Sequence, residues 1–258
     1  MNIAKGDRYI LINADCFEIL PKIQNRKIDL IFTDPPYDKN DQGLQPLSDS
    51  QKQQLAKHFI RIIKKTGNIA IMCGKVCKWK WYNIMTKLGA ELHSEVIWCY
   101  ENPPEFRKPA KSIRSFTWSH DTILCFRISR ENYFNRDPEH EWLKHKVSWI
   151  LAPCVTGFLR GYKDKLPKER LEGVTPRPLE IADKINYFLC PENGIVLDPF
   201  MGTGSLILSA YLLRNAKVIG IEKNQNTFKI AVKRFKQYSS QKQLSFSFKP
   251  KNLKTLSL

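Results

Sequence analysis

The tetrapeptide Asp34-Pro35-Pro36-Tyr37 directly follows the apolar run IDLIFT, which predicts a buried strand. Its two prolines fix the backbone φ angle and remove two amide donors, so the segment is stiff and displays its carbonyl groups. In open α/β sheets, ligands bind at the carboxyl ends of the strands, which is where this segment would lie. A rigid surface turn capped by Asp34 would also explain these residues, but we favour the functional interpretation.

The chemistry that these residue types suit is activation of an amino group on a nucleobase. Such a nitrogen is a poor nucleophile because its lone pair is delocalised into the ring. Two acceptors that bind both of its N–H bonds would favour a pyramidal nitrogen, and the Asp34 carboxylate and the Pro35 carbonyl can supply them. The Tyr37 ring offers a face on which a base extruded from a duplex could stack.

A second motif, Asp198-Pro199-Phe200-Met201-Gly202-Thr203-Gly204, follows another predicted strand and opens a predicted helix. Glycines at such a turn let the backbone approach a ligand closely, with the amide groups of the helix N-terminus facing it. A tight structural turn would need the same glycines. The next predicted strand ends in Glu222, about 20 residues later, where Rossmann-like folds carry the acid that binds ribose hydroxyls. This spacing predicts a nucleoside site, and the sequence has no Walker-type phosphate loop, which disfavours ATP hydrolysis.

The pairing of DPPY with a later DPFMGTG resembles the β group of DNA amino-methyltransferases, which methylate adenine N6 or cytosine N4. The catalytic motif comes first in the chain and the cofactor motif last, as in that group. Further segments that resemble elements of the family are NADCFEIL (13–20), HDTILCF (120–126) and VTPRPLEI (174–181). In these segments Arg177 replaces the usual Lys, and Ala14 stands where Gly is common. The resemblance covers most of residues 8–235.

The resemblance implies S-adenosylmethionine as the cofactor and gives each motif residue a role. The implied catalytic residues are Asp34, Pro35, Pro36 and Tyr37. The implied cofactor-binding residues are Asp15 at the adenine amino group, Thr175 and Arg177 at the methionine end, Glu222 at the ribose hydroxyls, and Asp198, Phe200, Gly202 and Gly204 around the pocket.

The resemblance also favours one reaction, the methylation of adenine N6 at a specific DNA site by direct in-line attack from a flipped base. Many cytosine-N4 enzymes carry Ser where this chain has Asp34, so the aspartate favours adenine. Cytosine N4 is the alternative target, and RNA stays open as a substrate. A DNA-binding relative that has lost catalysis belongs to a different functional class, and the intact motifs at both sites argue against it.

The elements that position these motifs can be read from apolar periodicity. Seven runs rich in β-branched or aromatic residues predict strands at 8–14, 28–33, 68–73, 95–100, 122–128, 194–198 and 217–222. Helical patterns lie between many of them, over 55–63, 178–189 and 205–213. The alternation predicts a doubly wound α/β fold, and the resemblance implies a circularly permuted Rossmann-like methyltransferase fold, with a seven-stranded, mostly parallel sheet and helices on both faces. We predict a catalytic domain over 1–236, a target-recognition insertion at about 131–173 and a basic tail over 237–258.

The charge of the chain points to a polyanionic partner. The 258 residues carry a formal net charge of +17, which favours binding to DNA. A Lys-rich proteome or adaptation to heat would also produce such a charge. A cluster without acidic residues is predicted to contact DNA phosphates, although a solvated loop explains it equally well, and its members are Arg107, Lys108, Lys111 and Arg114.

The remaining composition bears on location and partners. Seven scattered cysteines without a CxxC pair, and five histidines without metal-ligand spacing, predict free thiols in a reducing cytoplasm and no metal site. No apolar run is long enough to span a bilayer, and the N-terminus lacks a signal-peptide pattern. We expect a cytoplasmic, nucleoid-associated monomer or homodimer without a membrane partner, with a cognate restriction endonuclease as a candidate partner. The segment QLSFSF (243–248) resembles peptides that dock to a bacterial sliding clamp, although a strand packed on the chain's own surface is the simpler explanation.

Overall fold

One sheet flanked by helices organises the part of the chain that the computed structural model describes, which is residues 1–37, 45–74, 77–101, 114, 116, 118–137, 147–153 and 177–241. The strands are β1 Asn2–Lys5, β2 Tyr9–Asn13, β3 Ile28–Thr33, β4 Ile63–Cys73, β5 Glu91–Tyr100, β6 His120–Arg127, β7 Trp149–Ala152, β8 Ile195–Asp198 and β9 Lys217–Glu222. The α-helices are α1 Cys16–Ile19, α2 Asp49–Ile62, α3 Lys78–Lys87, α4 Leu179–Leu189, α5 Ser205–Leu213 and α6 Gln225–Gln241, and a 3-10 turn covers Leu20–Lys22.

The strands are ordered β1-β2-β9-β8-β3-β4-β6-β5-β7 across the sheet. The central block of β2, β9, β8, β3 and β4 is parallel throughout. At one end β1 is antiparallel to β2, and at the other β6 runs antiparallel to both β4 and β5, while β7 pairs parallel with β5. The sheet is therefore mostly parallel, and the carboxyl ends of the central block open onto one edge.

Helices cover both faces of the sheet, as predicted. α4, α5 and α6 pack on one face, and α1, α2 and α3 pack on the other. Along β3, Leu30 and Phe32 belong to the first core and Ile31 to the second, because successive side chains of a strand point to opposite faces. All three are fully buried. Burial on both faces explains why the centre of this strand, Leu30 to Phe32, is continuously apolar rather than alternating.

The predicted strand count of seven is wrong, because nine strands lie among the described residues. Each of the seven predicted runs forms a strand, and β1 and β7 are additional. β1 is the four-residue sequence NIAK at the sheet edge and is largely exposed. β7 is WILA, inside the segment 131–173 for which the sequence predicts an insertion. Four residues carry too little periodicity for either strand to be recognised from sequence.

Candidate active site

The two sequence motifs lie side by side at the carboxyl edge of the sheet. β3 and β8 are parallel neighbours, so residues 34–37 and 198–204 leave the sheet at the same edge. The Thr33 hydroxyl donates to Asp198 Oδ1 across 2.8 Å and ties the two strand ends together. β9 and β2 follow in the sheet, and Asn13 Nδ2 donates to the Glu222 carbonyl at 2.8 Å. The candidate catalytic and nucleoside-binding residues therefore share one edge, where α/β sheets bind ligands.

Asp34 forms an ion pair through one carboxylate oxygen and leaves the other without a donor. Its Oδ2 accepts a hydrogen bond from Nε of Arg177 at 2.6 Å, and the two side chains are 16% and 18% exposed. Its Oδ1 is buried, and no donor among the described residues is bonded to it. Leaving a buried acceptor unpaired is costly, so this oxygen is well suited to receive an N–H group from a ligand.

Tyr37 is fixed by contacts with its ring and with its hydroxyl group. A Cβ atom at Gly74 would lie 2.8 Å from the Tyr37 ring, so only glycine lets the ring rest on the backbone after β4. The hydroxyl donates to Asp121 Oδ2 across a long 3.5 Å and accepts from Nη2 of Arg177 at 3.3 Å. Burial, and after it the charge of Asp34, raises the pKa of Tyr37 well above its ordinary value. The phenol therefore stays neutral and presents an aromatic face in a defined position.

The turn after β8 is shaped by two glycines and supported by α6. Gly202 and Gly204 have φ angles of 53° and 84°, which side chains other than glycine rarely adopt. A Cβ atom at Gly204 would lie 3.0 Å from the Phe235 ring of α6. The buried guanidinium of Arg234, also on α6, donates to the Thr203 carbonyl at 2.7 Å. The turn is thus held in one conformation where it leads into α5.

Two carboxylates lie at the ends of the neighbouring strands β9 and β2. Glu222 accepts from the backbone amides of Gly202 at 3.0 Å and Asn224 at 2.6 Å. Burial raises the pKa of Glu222, and these amides oppose that shift. Asp15 accepts from the amide of Phe17 at 3.0 Å and from Lys223 Nζ at 2.9 Å. A carboxylate has about four lone-pair sites, so each group keeps capacity for hydroxyl or amino donors of a ligand.

Comparison with known proteins identifies the family of this chain. A family profile described as DNA methylase matches residues 28–233. The chain belongs to the DNA methylase family. It is similar to the Type II methyltransferase M.HinfI of Haemophilus influenzae, with 29% identity over 256 residues that cover 88% of this chain and 68% of that protein. It is also similar to the Type II methyltransferase M2.LlaDCHI of Lactococcus lactis subsp. cremoris, with 27% identity over 248 residues, 87% of this chain and 88% of that protein.

Solved structures of methyltransferases share the fold. The crystal structure of the M1.HpyAVI–SAM complex superposes with a TM-score of 0.64 at 27% identity and covers 87% of this chain and 98% of that one. The cytosine-N4-specific PvuII DNA methyltransferase gives a TM-score of 0.69 over 91% of this chain and 90% of that one, and at 15% identity it bears on the fold alone. The resemblance to the DNA amino-methyltransferases and the predicted fold class are both confirmed.

Asp198 of the family motif is buried beneath the site. Its side chain is fully inaccessible, and its Oδ1 accepts from Thr33 Oγ1 and from the Phe200 amide at 3.0 Å. Its Oδ2 has no hydrogen-bond partner among the described residues. Burial raises the pKa of Asp198 to about 8, although both donors oppose the shift. Asp198 therefore connects the two motifs, and its hydrogen bond with the Phe200 amide fixes the start of the glycine turn.

The raised pKa makes a testable contribution to stability. The folded protein retains a proton on Asp198 that the unfolded chain releases above its ordinary pKa of 3.8, so this group makes the fold less stable as the pH rises toward about 8. Asp198→Asn keeps the oxygen acceptor for Thr33 and Phe200 but removes the titration. We expect the free energy of unfolding of the wild type to fall relative to that of the variant between about pH 5 and about pH 8. Urea denaturation at both pH values measures the difference, and parallel pH dependences would contradict the assignment.

The remaining predicted site residues differ in how far they can be placed. Phe200 is half-buried at the start of the glycine turn, and Arg177 contacts Asp34 and Tyr37. Arg114 is exposed. Outside the described residues lie Thr175, Arg107, Lys108, Lys111 and the segment 243–248. α6 continues to Gln241, within the segment 237–258 that the sequence predicts to be a tail.

The site also contains residues that the sequence analysis does not assign. Asp121 accepts from Tyr37, and burial raises its pKa. Trp98, on β5, is 2% exposed, and its ring centroid lies 5.9 Å from the guanidinium carbon of Arg177. Asp121 belongs to the segment HDTILCF, and the resemblance of this segment to the family is the only sequence feature that could have identified the residue. Because β6 runs antiparallel to β4, the first residues of β6 reach the edge where β4 ends, and that pairing is not readable from local pattern.

The sequence also leads to expectations about thiols, metal sites and membrane spans. Six cysteines within the described ranges are free thiols, and most of them are buried. In the same ranges, no group of three or more His, Cys, Asp or Glu side chains is placed to hold a metal ion. No helix in the described part of the chain is both long and apolar enough to cross a membrane.

Proposed function

We propose that this DNA methyltransferase transfers a methyl group from S-adenosylmethionine to the N6 amino group of adenine in DNA. The observation that carries the proposal is Oδ1 of Asp34, a buried acceptor with no donor among the described residues. It lies at the carboxyl edge of the sheet, one strand from the glycine turn and next to a fixed tyrosine ring. A base amino group supplies the N–H donor that this oxygen lacks.

The residues of the tetrapeptide would activate the target nitrogen by binding its hydrogen atoms. Oδ1 of Asp34 accepts one N–H bond and the Pro35 carbonyl accepts the other, which favours a pyramidal nitrogen. The lone pair is then directed away from the ring and toward the methyl carbon of the donor. As the new C–N bond forms, the bond from that carbon to the sulfonium sulfur would break, and the nitrogen would release one of its protons to solvent. Tyr37 stacks on the extruded base, and its neutral phenol adds no charge to the stacking face. Acceptors fixed before the reaction stabilise developing positive charge on the nitrogen without reorganisation.

The residues at the ends of β2, β8 and β9 fit S-adenosylmethionine, which supplies an electrophilic methyl carbon on a sulfonium centre. Glu222 has acceptor capacity left for the ribose hydroxyls, and Asp15 has it for the adenine amino group. Gly202 and Gly204 let the cofactor approach the backbone closely, and the half-buried Phe200 ring lines the pocket. The M1.HpyAVI–SAM complex has the same fold.

DNA as the substrate agrees with the electrostatics of the chain. A formal charge of +17 attracts the phosphate backbone. Arg114 is exposed and belongs to the basic cluster that lies between β5 and β6 in the sequence, which we propose to contact phosphates. Adenine is the proposed base because the chain carries Asp34 at the motif position where many cytosine-N4 enzymes carry Ser.

The product of the reaction tests the proposal. Purified protein is incubated with S-adenosylmethionine and unmethylated plasmid DNA, and the DNA is digested to nucleosides for mass spectrometry. We expect N6-methyldeoxyadenosine in the wild-type reaction, and about a thousandfold slower formation of this product when Asp34→Asn protein is purified and assayed in the same way. A parallel reaction contains RNA of mixed sequence in place of the plasmid DNA.

Each alternative predicts a different result in this experiment. N4-methyldeoxycytidine as the only product would assign the enzyme to cytosine and contradict the choice of adenine. Methylated nucleosides from RNA alone would contradict the DNA substrate. Folded protein that binds S-adenosylmethionine but methylates neither polymer would favour the non-catalytic alternative.

A further inference from the structure

Arg177 joins three groups of the proposed catalytic site through one guanidinium. Its Nε donates to Asp34 Oδ2 at 2.6 Å, and its Nη2 donates to the Tyr37 hydroxyl at 3.3 Å. Its guanidinium carbon lies 5.8 Å from the centroid of the Tyr37 ring and 5.9 Å from that of Trp98. The resemblance alone assigns Arg177 to the methionine end of the cofactor, whereas these contacts connect it to the residues that handle the base.

The surroundings of the guanidinium keep it charged and in place. Burial acts to lower the pKa of Arg177, but the carboxylate of Asp34 and the other acidic neighbours raise it above its ordinary value. Trp98 is itself fixed, since its Nε1 donates to the Ala152 carbonyl at 3.0 Å and it is nearly inaccessible. A side chain that is 18% exposed and held between an ion pair and two aromatic rings has few alternative rotamers.

The fork of the guanidinium determines which oxygen of Asp34 remains available. A planar guanidinium can donate to two different acceptors in fixed relative directions, whereas an ammonium group acts as a point charge. Because Nε occupies Oδ2, the carboxylate cannot rotate freely, and Oδ1 stays without a donor. The second arm of the fork fixes the hydroxyl of the stacking tyrosine at the same time.

We infer that Arg177 is a positioning residue for the target base. It holds the Asp34 carboxylate and the Tyr37 ring so that Oδ1 of Asp34 faces the amino group to be methylated. The inference rests on the proposed function, since it assigns Arg177 a task within that chemistry. It places the effect of Arg177 on the turnover step rather than on cofactor affinity.

Two substitutions of Arg177 test this assignment, with a matched control elsewhere. Arg177→Gln removes the charge and the fork, and Arg177→Lys keeps the charge but provides a single donor group. Arg8→Gln is the control, because Arg8 is also mostly buried, donates to backbone carbonyls and stacks on a tyrosine ring at 4.1 Å, in this case Tyr211 and away from the site. Turnover is measured with radiolabelled S-adenosylmethionine on unmethylated plasmid DNA, and cofactor affinity by calorimetry without DNA.

We expect Arg177→Gln to lower kcat by about a hundredfold, the scale of a misplacement of about 1 Å at a reacting centre. Arg177→Lys should lower kcat by about tenfold, because one of the two contacts is retained. Both variants should bind S-adenosylmethionine within about threefold of wild type, since the contacts of Arg177 are with base-handling residues. Arg8→Gln should leave kcat and affinity unchanged. The calorimetric titration also shows that each variant is folded, and Arg177→Lys carries the test if Arg177→Gln does not fold.

Two results would overturn the inference. One is a tenfold or larger loss of cofactor affinity in Arg177→Gln with kcat at saturating cofactor unchanged, which would return Arg177 to the methionine end. The other is wild-type turnover and affinity in both variants. Failure of the proposed function is distinguishable, because it would appear in the methylated nucleoside that the wild type forms or as wild-type activity in Asp34→Asn, whatever the behaviour of Arg177.

Discussion

Asparagine in place of Asp34 is expected to lower kcat by about a thousandfold while cofactor affinity stays near normal. The amide oxygen of asparagine would take over the hydrogen bond from Arg177 Nε, because that donor requires an acceptor. The amide NH₂ group would then occupy the position of Oδ1 and present donors to an amino group that itself donates. The proposed cofactor residues follow β2, β8 and β9, so their geometry should be unaffected.

Steady-state kinetics at saturating DNA and S-adenosylmethionine, together with calorimetric titration of S-adenosylmethionine, separate the two effects. Asp183→Asn is a suitable control, since Asp183 is a half-buried carboxylate on α4 that accepts from Ser209 Oγ at 2.6 Å and belongs to neither motif. It should retain wild-type turnover. A wild-type kcat in Asp34→Asn would show that this carboxylate does not act on the target nitrogen.

Removal of the Glu222 carboxylate is expected to weaken S-adenosylmethionine binding by about 1–3 kcal/mol, the cost of leaving hydrogen-bonding groups unpaired. Two effects would contribute to this loss. The ribose hydroxyls would lose their acceptor, and the amide of Gly202 would lose the carboxylate oxygen that now holds the glycine turn at 3.0 Å. Turnover at saturating cofactor should change less than affinity, because Glu222 does not contact the tetrapeptide side chains in this arrangement.

Comparing Glu222→Ala with Glu222→Gln grades the effect by the number of oxygen acceptors that remain. Glutamine keeps one oxygen acceptor and should lose less affinity than alanine in a calorimetric titration. Glu192→Gln, on a mostly exposed side chain that pairs with Arg214 at 3.7 Å, is the control and should bind the cofactor normally. Wild-type affinity in Glu222→Ala would place the ribose site elsewhere.

Much of this architecture could be predicted because the signals are local. The centre of the run IDLIFT is continuously apolar over Leu30, Ile31 and Phe32 because β3 is buried on both faces. The turn after β8 needs glycine at Gly202 and Gly204 because of their positive φ angles. Strand ends in a parallel sheet share an edge, so the two motifs could be expected to meet. These inferences depend on residues that are close in sequence or on general properties of α/β sheets.

What could not be predicted depends on contacts between residues distant in sequence. Arg177 and Asp34 are separated by 143 positions, and no pattern in either segment reveals their ion pair. Asp121 reaches the site only because β6 is inserted antiparallel between β4 and β5. β1 and β7 are four residues each and gain their structure from pairing with β2 and β5 rather than from their own periodicity. Which strands pair across the sheet depends on tertiary contacts, and the β propensity of each segment alone does not determine it.

The central claim is that Asp34 and Pro35 hold the amino group of an extruded base, and a ternary complex tests it most directly. The measurement is a crystal structure of the protein with sinefungin, a non-reactive analogue of the cofactor, and a duplex that carries the site identified by modification-aware sequencing. The account predicts an adenine stacked on Tyr37, with N6 at about 3 Å from both Asp34 Oδ1 and the Pro35 carbonyl oxygen. A base whose amino group is bound by other residues, with Asp34 Oδ1 facing away from it, would contradict the account.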